Sequence, residues 1–243
     1  MPEDEETRLS NLTKNTTFEY VVLFSPSYID LFDRAESYDP IVQHVFDYYF
    51  FDIKIDNAYI FSKYDNSSYR VVYSFIDKFE ESSKYYDLGN GTFGKAEELT
   101  QDVFEPQIWI TQINSDIRYA IQQTPQDQPQ EGDVVKSYIS YNIHIPPRAI
   151  LKFAISIDPN FWDKAHDTRF EIHVRNYTDV HVLFDKIIDP KNEPSSQWKD
   201  QAVSLSKFAN QDVKIVFVIS TGPSMNNAYS FAVWGNPVII TNG

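Results

Sequence analysis

Trp198-Lys-Asp-Gln-Ala-Val-Ser-Leu-Ser-Lys-Phe-Ala-Asn-Gln-Asp-Val-Lys-Ile-Val-Phe-Val-Ile-Ser-Thr221, with Ala232-Val-Trp-Gly-Asn-Pro237 beyond it, decides the fold of this chain. Apolar residues recur at every second position on both sides of Phe208-Ala-Asn-Gln-Asp212, the period of half-buried strands, so the stretch reads as antiparallel β-structure. The second segment breaks a further strand at Gly-Asn-Pro, three residues that favour a corner over a straight ladder. Together they predict a β-sandwich ending.

Working outward, short apolar runs recur at 107–113, 118–121, 137–145, 149–157, 169–174, 180–188, 202–205, 213–220 and 230–240. Turns of Asn, Asp, Pro and Ser divide them, a spacing that favours a sandwich over a parallel α/β sheet. The Gln- and Pro-rich run 122–133 reads as a solvent-exposed loop. Residues 1–16 are polar and charged, and a flexible lead-in is expected there. Residues 17–80 predict a small α+β unit. Its parts are a strand at 18–24, a helix opened by Asp39-Pro40, and a hairpin of 58–62 and 69–75 around Asp65-Asn66-Ser67-Ser68. The helix carries Ile41, Val42, Val45, Phe46 and Tyr49 on one stripe. Residues 81–104 read as a connector and 105–243 as the sandwich.

The pattern W-x4-V-x-L-S-x-F-A-N-Q-x-V-x-I-x-F from Trp198 to Phe217, then A-x-W-G-N-P from Ala232, resembles the terminal strands of galactose-binding-like jelly rolls. Upstream, Ile145-Pro-Pro-Arg-Ala-Ile-Leu-Lys-Phe153 and Asp158-Pro-Asn-Phe-Trp162 are similar to the preceding strand and corner of the same domains. The resemblance covers about residues 105–243. It departs from the family pattern at His166-Asp167-Thr168 and at Ser230-Phe231. It implies a mainly β chain, an antiparallel jelly-roll sandwich preceded by the small α+β unit. Such domains serve as carbohydrate-binding modules and as soluble tails of prokaryotic cell-envelope glycosyltransferases. The resemblance also implies a structural calcium, for which Asp158, Asp163 and Asp167 around Trp162 are the candidate ligands.

Composition narrows the partners. The chain has 35 acidic against 21 basic residues and a formal net charge of −14, which disfavours nucleic acid and anionic membrane surfaces. With no cysteine, disulfides, thiolate metal sites and a Cys nucleophile are excluded. Asn-X-Ser/Thr sequons stand at Asn11, Asn15, Asn66, Asn90 and Asn176, as expected of a glycosylated protein or by chance in a chain rich in these residues. No run approaches the roughly 20 apolar residues of a spanning helix. The acidic start Met1-Pro-Glu-Asp-Glu-Glu6 is unlike a signal peptide, so an exported form is expected to have lost its targeting or anchoring element.

Catalytic patterns are sparse. The five histidines form no HExxH or His-x-His motif. His173 and His181 flank Asn176-Tyr-Thr-Asp179 and can be read as metal ligands meeting across a hairpin or as ordinary cross-strand neighbours. Glycoside hydrolysis needs two carboxylates in a cleft, and no pattern nominates a pair. Gly89-Asn-Gly-Thr-Phe-Gly94 lacks the Lys and the helix of a phosphate loop. A sugar site needs an aromatic platform with polar groups beside it. Of the four tryptophans, Trp109, Trp162, Trp198 and Trp234, Trp162 is the candidate platform, and Asn226 and Asn227 in the 222–228 loop are the candidate polar contacts.

The leading expectation is a non-catalytic, extracytoplasmic carbohydrate-binding or accessory module of a cell-envelope protein, at the cell surface or secreted. Its partner would be a glycan or cell-surface polymer. The alternatives are a structural, self-associating surface glycoprotein of a layer or filament, and a hydrolase with an unrecognised carboxylate pair.

Overall fold

The computed structural model describes residues 20–24, 49–55, 58–63, 69–87, 93–95, 105–124, 136–176, 179–193, 195–224 and 230–242. They fall in two units, 1–68 with 114–118, and 69–113 with 119–243. In the first, β1 (Tyr20–Phe24), β2 (Tyr49–Ile55) and β3 (Ala58–Lys63) form an antiparallel sheet in the order β1-β3-β2. Aromatic and β-branched residues dominate all three, the composition that suits a pleated surface. The expected helix at 39–48 lies outside the described residues, and Tyr49, placed on its stripe, instead opens β2.

The second unit is an antiparallel β-sandwich. One sheet runs β13 (Lys199–Ser204), β10 (Ala149–Ile157), β15 (Ala232–Asn242), β8 (Asp116–Gln123) and β7 (Gln107–Ile113), with β4 (Tyr69–Ser74) also on β15. The other runs β12 (Val180–Ile188), β11 (Thr168–Arg175), β14 (Asp212–Thr221), β9 (Lys136–His144), β5 (Ser83–Asp87) and β6 (Phe93–Lys95). From β9 onward the chain alternates between the sheets in jelly-roll fashion, except at the β11–β12 hairpin, which stays in one sheet. The quoted stretch shows this: β13 pairs with β10 in one sheet, and β14 pairs with β11 and β9 in the other. Between them Phe208, 2% exposed, plugs the end of the core, and Asn210 takes a φ of 59° that Asn tolerates better than most residues.

Three expectations from the sequence are corrected. Residues 58–62 and 69–75 are not a hairpin, because β3 pairs with β1 and β2 while β4 pairs with β15. Residues 81–104 are not merely a connector, because β5 and β6 lie within them and β5 extends the second sheet through β9. The sandwich therefore begins at Tyr69 and not at residue 105. The physical reason lies in β15. Its first half pairs with β8 at 232–235 and its second half with β4 at 238–242. The switch falls on Asn236, with φ 42°, and on Pro237, which has no N–H to give to a ladder.

The core lies between the sheets. Trp234, fully buried, meets Phe153, Phe170 and Phe217 at centroid distances of 5.8, 5.1 and 5.0 Å. Its indole N–H donates to Gln123 Oε1 at 3.0 Å, and Gln123 Nε2 donates across to the Ser137 carbonyl at 2.8 Å. One buried amide thereby ties the two sheets and leaves neither of its heads unbonded. β14, which the sequence suggests is half-buried, is instead apolar over 215–219 without alternation because it is buried on both faces. Among the described residues no helix is long and apolar enough to cross a membrane.

Candidate functional site

The outward face of the β12-β11-β14-β9-β5-β6 sheet is where chemistry gathers. Its side chains follow from alternation. On β11, Phe170, Ile172 and Val174 go into the core, so Arg169, Glu171, His173 and Arg175 go outward. Register then aligns rows across the sheet. Glu171 lies opposite Val218, Val218 opposite Tyr138, Tyr138 opposite Tyr85, and Tyr85 opposite Lys95. Phe93 lies opposite Asp87, which is opposite Lys136.

Three rings form a cluster at the β6 end of this face. Tyr85 and Tyr138 stack at 4.9 Å with an interplanar angle of 4°. Phe93 stands edge-on to both, its centroid 5.9 Å from each, and is 58% exposed. Val216 and Val218 are fully buried beneath, although they point away from the main core. Burial pushes the Tyr138 hydroxyl up to about 12 and raises that of Tyr85, so both stay protonated and able to donate at neutral pH.

Next to the rings lies a charged group with unmade bonds. The Glu171 side chain is only 7% exposed, with Oε1 3.5 Å from His173 Nε2 and Oε2 3.5 Å from Lys136 Nζ. His173 first, then Lys136 and Arg169, hold its carboxyl down to about 2 against the opposing effect of burial. Glu171 Oε2, both ring nitrogens of His173 and Arg175 Nε are buried without a hydrogen-bond partner. Buried polar atoms are nearly always bonded, so a cluster of unbonded ones on one face is the mark of a surface awaiting hydroxyls or charge.

The lowered Glu171 pKa fixes a pH dependence. The folded value lies below the ordinary 4.5, so its stabilising contribution is present above about pH 4.5 and is lost as pH falls through about 2. Thermal melts of the wild type and Glu171→Gln should therefore differ most above pH 4.5 and converge toward pH 2. A constant gap across that range would contradict the ion-pair account.

The residues singled out from sequence fare differently. Trp162 is 7% exposed and packs in the main core, so it cannot serve as an open platform; its place in a turn anchored by Asp158 and Ala165 directs the ring inward. Trp234 and Trp198 are buried and half-buried. Trp109 is 46% exposed, on β7 of the other sheet. Asn226 and Asn227 lie outside the described residues, as do Asn11, Asn15, Asn66 and Asn90. Asn176 sits in the β11–β12 turn, where its Oδ1 accepts from the Asp179 N–H at 2.8 Å.

Asp158, Asp163 and Asp167 are not brought together. Among the described residues no group of three or more His, Asp and Glu side chains is placed to hold a metal ion. Asp158, its carboxyl raised by burial, accepts from the Asn160 N–H at 2.9 Å and from Gln122 Nε2 at 3.1 Å. Asp167 accepts from the N–H and hydroxyl of Ser224, and Asp163 is exposed. His173 and His181 do not meet either. They occupy adjacent registers, opposite Val182 and Val174, so one faces outward while the other lies 5.4 Å from the core ring of Phe208.

The face itself had a sequence signal. Arg169, Glu171, His173 and Arg175 alternate with three core residues, and Tyr138 and Tyr85 fall at matching phases of their strands.

No family model matches the sequence. An uncharacterized protein of Archaeoglobus fulgidus is 33% identical over 134 residues, 54% of this chain and 32% of that protein. The chain thus spans about a third of that relative's length. Structural neighbours include carbohydrate-binding modules with β-sandwich folds. The module CBM27-1 of Caldicellulosiruptor saccharolyticus, in complex with mannohexaose, is 12% identical with a TM-score of 0.42, covering 71% of this chain and 96% of that one. The module CBM51 of Clostridium perfringens, in complex with methyl-galactose, is 12% identical with a TM-score of 0.34, covering 58% and 91%. A cleaved adhesin domain of Lys-gingipain from Porphyromonas gingivalis is 14% identical with a TM-score of 0.35, covering 54% and 76%.

Proposed function

We propose that this chain is a non-catalytic carbohydrate-binding module of a protein working outside the cytoplasm, with the outward face of the β12-β11-β14-β9-β5-β6 sheet as its glycan surface. The observation that carries the reading is Phe93, an exposed ring braced edge-on by the stacked Tyr85–Tyr138 pair, beside buried polar groups that lack partners. The C–H face of a pyranose packs on such a ring while its hydroxyls take up the unmade bonds. Glu171, held ionised, suits an acceptor of sugar hydroxyls and not a general acid, which would need a raised pKa. The sequons at Asn66, Asn90 and Asn176 support placement outside the cytoplasm.

The test is affinity electrophoresis and calorimetry of the purified chain against a panel of soluble polysaccharides, neutral and acidic. At least one polymer should bind, and Phe93→Ala should weaken that binding about tenfold or more, the equivalent of ~1.4 kcal/mol. A wild-type chain that binds nothing on the panel, or a Phe93→Ala chain that binds as well as wild type, sinks the reading.

A further inference from the structure

We infer that this face is built for a saccharide carrying a negative charge, a uronate carboxylate or a sulfate ester, received by Arg175 and Lys214. The inference rests on the glycan-binding reading of the same face and names the class of glycan. Register sets Arg175 on β11 directly opposite Lys214 on β14, and Val174 and Ile215 beside them are core residues, so both cations point outward. Their row continues to Val180 on β12 and Asn142 on β9 and contains no acid. Like charges directly opposite one another on neighbouring strands repel and destabilise a sheet.

Elsewhere on the face cations are matched. Arg169 donates twice to Asp185, at 2.8 and 2.5 Å, and Lys136 lies 3.5 Å from Glu171. Arg175 and Lys214 have no ion-pair partner among the described residues, in a chain where acids outnumber bases 35 to 21. An unopposed cationic pair on so acidic a chain is a local exception. Arg175 Nε is moreover buried with no acceptor, and a buried donor left unbonded carries its desolvation cost in full.

A carboxylate or sulfate resolves both problems. Two of its oxygens can accept in parallel from Nε and a terminal nitrogen of the guanidinium, the fork geometry that Lys cannot offer, and Lys214 supplies the second charge. Arg175 lies on the same outward face as the ring cluster, but register sets Phe93 in the row of Arg169, three outward rows from Arg175. A glycan of several units is therefore required for one ring to lie on Phe93 while a charged group further along the chain reaches Arg175. His173, in the next row with Nε2 toward Glu171 and Nδ1 without a hydrogen-bond partner, offers a hydroxyl contact between them.

The experiment compares the wild type with Arg175→Gln, Lys214→Gln and Phe93→Ala. The ligands are polygalacturonate, alginate and a sulfated galactan beside neutral galactan and mannan, each at low and high salt. Acidic polymers should bind about tenfold or more tighter than neutral ones at low salt, and added salt or either glutamine substitution should erase the preference. Phe93→Ala should weaken every binder. Because the substitutions relieve repulsion, neither glutamine variant should melt below wild type. A preference for carboxylated over sulfated polymers, or the reverse, names the source of the charge within the inference. Equal binding of acidic and neutral polymers that still depends on Phe93 overturns the charge inference and leaves the glycan reading standing. Binding of none overturns both. A glutamine variant that melts lower while keeping the acidic preference shows the cations to be structural and also overturns the inference.

Discussion

Trp234→Ala should cost about 3–5 kcal/mol of folding stability, enough to leave much of the chain unfolded at moderate temperature. The ring is fully buried and in contact with Phe153, Phe170 and Phe217, so its removal opens a cavity where rings from both sheets converge. The loss extends to a polar bond. Without the indole N–H, Gln123 Oε1 loses its 3.0 Å donor while 1% exposed, and an unbonded buried acceptor costs about 1–3 kcal/mol. Trp234→Phe separates the two contributions, since it keeps most of the apolar volume and removes only the donor; its cost should be nearer the second figure. Urea unfolding followed by far-UV circular dichroism measures both without relying on the replaced fluorophore. A Trp234→Ala chain within about 1 kcal/mol of wild type would show that the inter-sheet contact is not centred here.

Gly222→Ala should be the next most damaging single change, by about 1–3 kcal/mol. A methyl at this position would stand 2.6 Å from Asp167 Cγ and 2.9 Å from its Cβ, and closer still to Oδ2. The obstruction cannot simply swing away. The Gly222 N–H donates to the Asp167 carbonyl at 2.8 Å, and the Asp167 carboxylate accepts from the Ser224 N–H at 3.0 Å and from its hydroxyl. Asp167→Ala loses those bonds and removes the two nearest atoms while leaving its Cβ 2.9 Å from the methyl, so the double variant should be somewhat more stable than the sum of the single losses implies. Strict additivity in thermal melts would mean that the close approach has no energetic consequence.

Much of the sandwich was legible because period-2 alternation survives wherever one strand face is wet. The runs at 107–113, 149–157 and 180–188 coincide with β7, β10 and β12. Gly235-Asn236-Pro237 reads as a corner, yet β15 runs on through it from Ala232 to Asn242 along β10, and only its partner on the other edge changes there. What alternation cannot carry is the choice of partner. Strand β4 reads the same whether it closes a hairpin with β3 or joins β15, 164 positions away in sequence by Ser74 and Val238, because strand pairing is set by the collapsed core and not by local pattern. Strand β6, at three residues, is too short to show any period. The site was missed for a related reason. Tryptophan was weighed as the platform, yet Trp162 and Trp234 are core residues, and the exposed ring is Phe93 on a strand hidden within an apparent connector. Arg169, Glu171, His173 and Arg175 gain their significance only from register, which sets the Tyr138 and Tyr85 row across the sheet from Glu171.

The partner exchange along β15 also bears on how the chain acquires its shape during synthesis. Strands made early, β4 and β8, have no neighbour on this edge until residues 232–242 leave the ribosome, and β10 waits for the same strand on its other side. Vectorial folding from the N-terminal side is therefore denied to this sheet. The edges that β4, β8 and β10 turn toward β15 stay open until that strand is made, and β15 then acts as the latch that joins them.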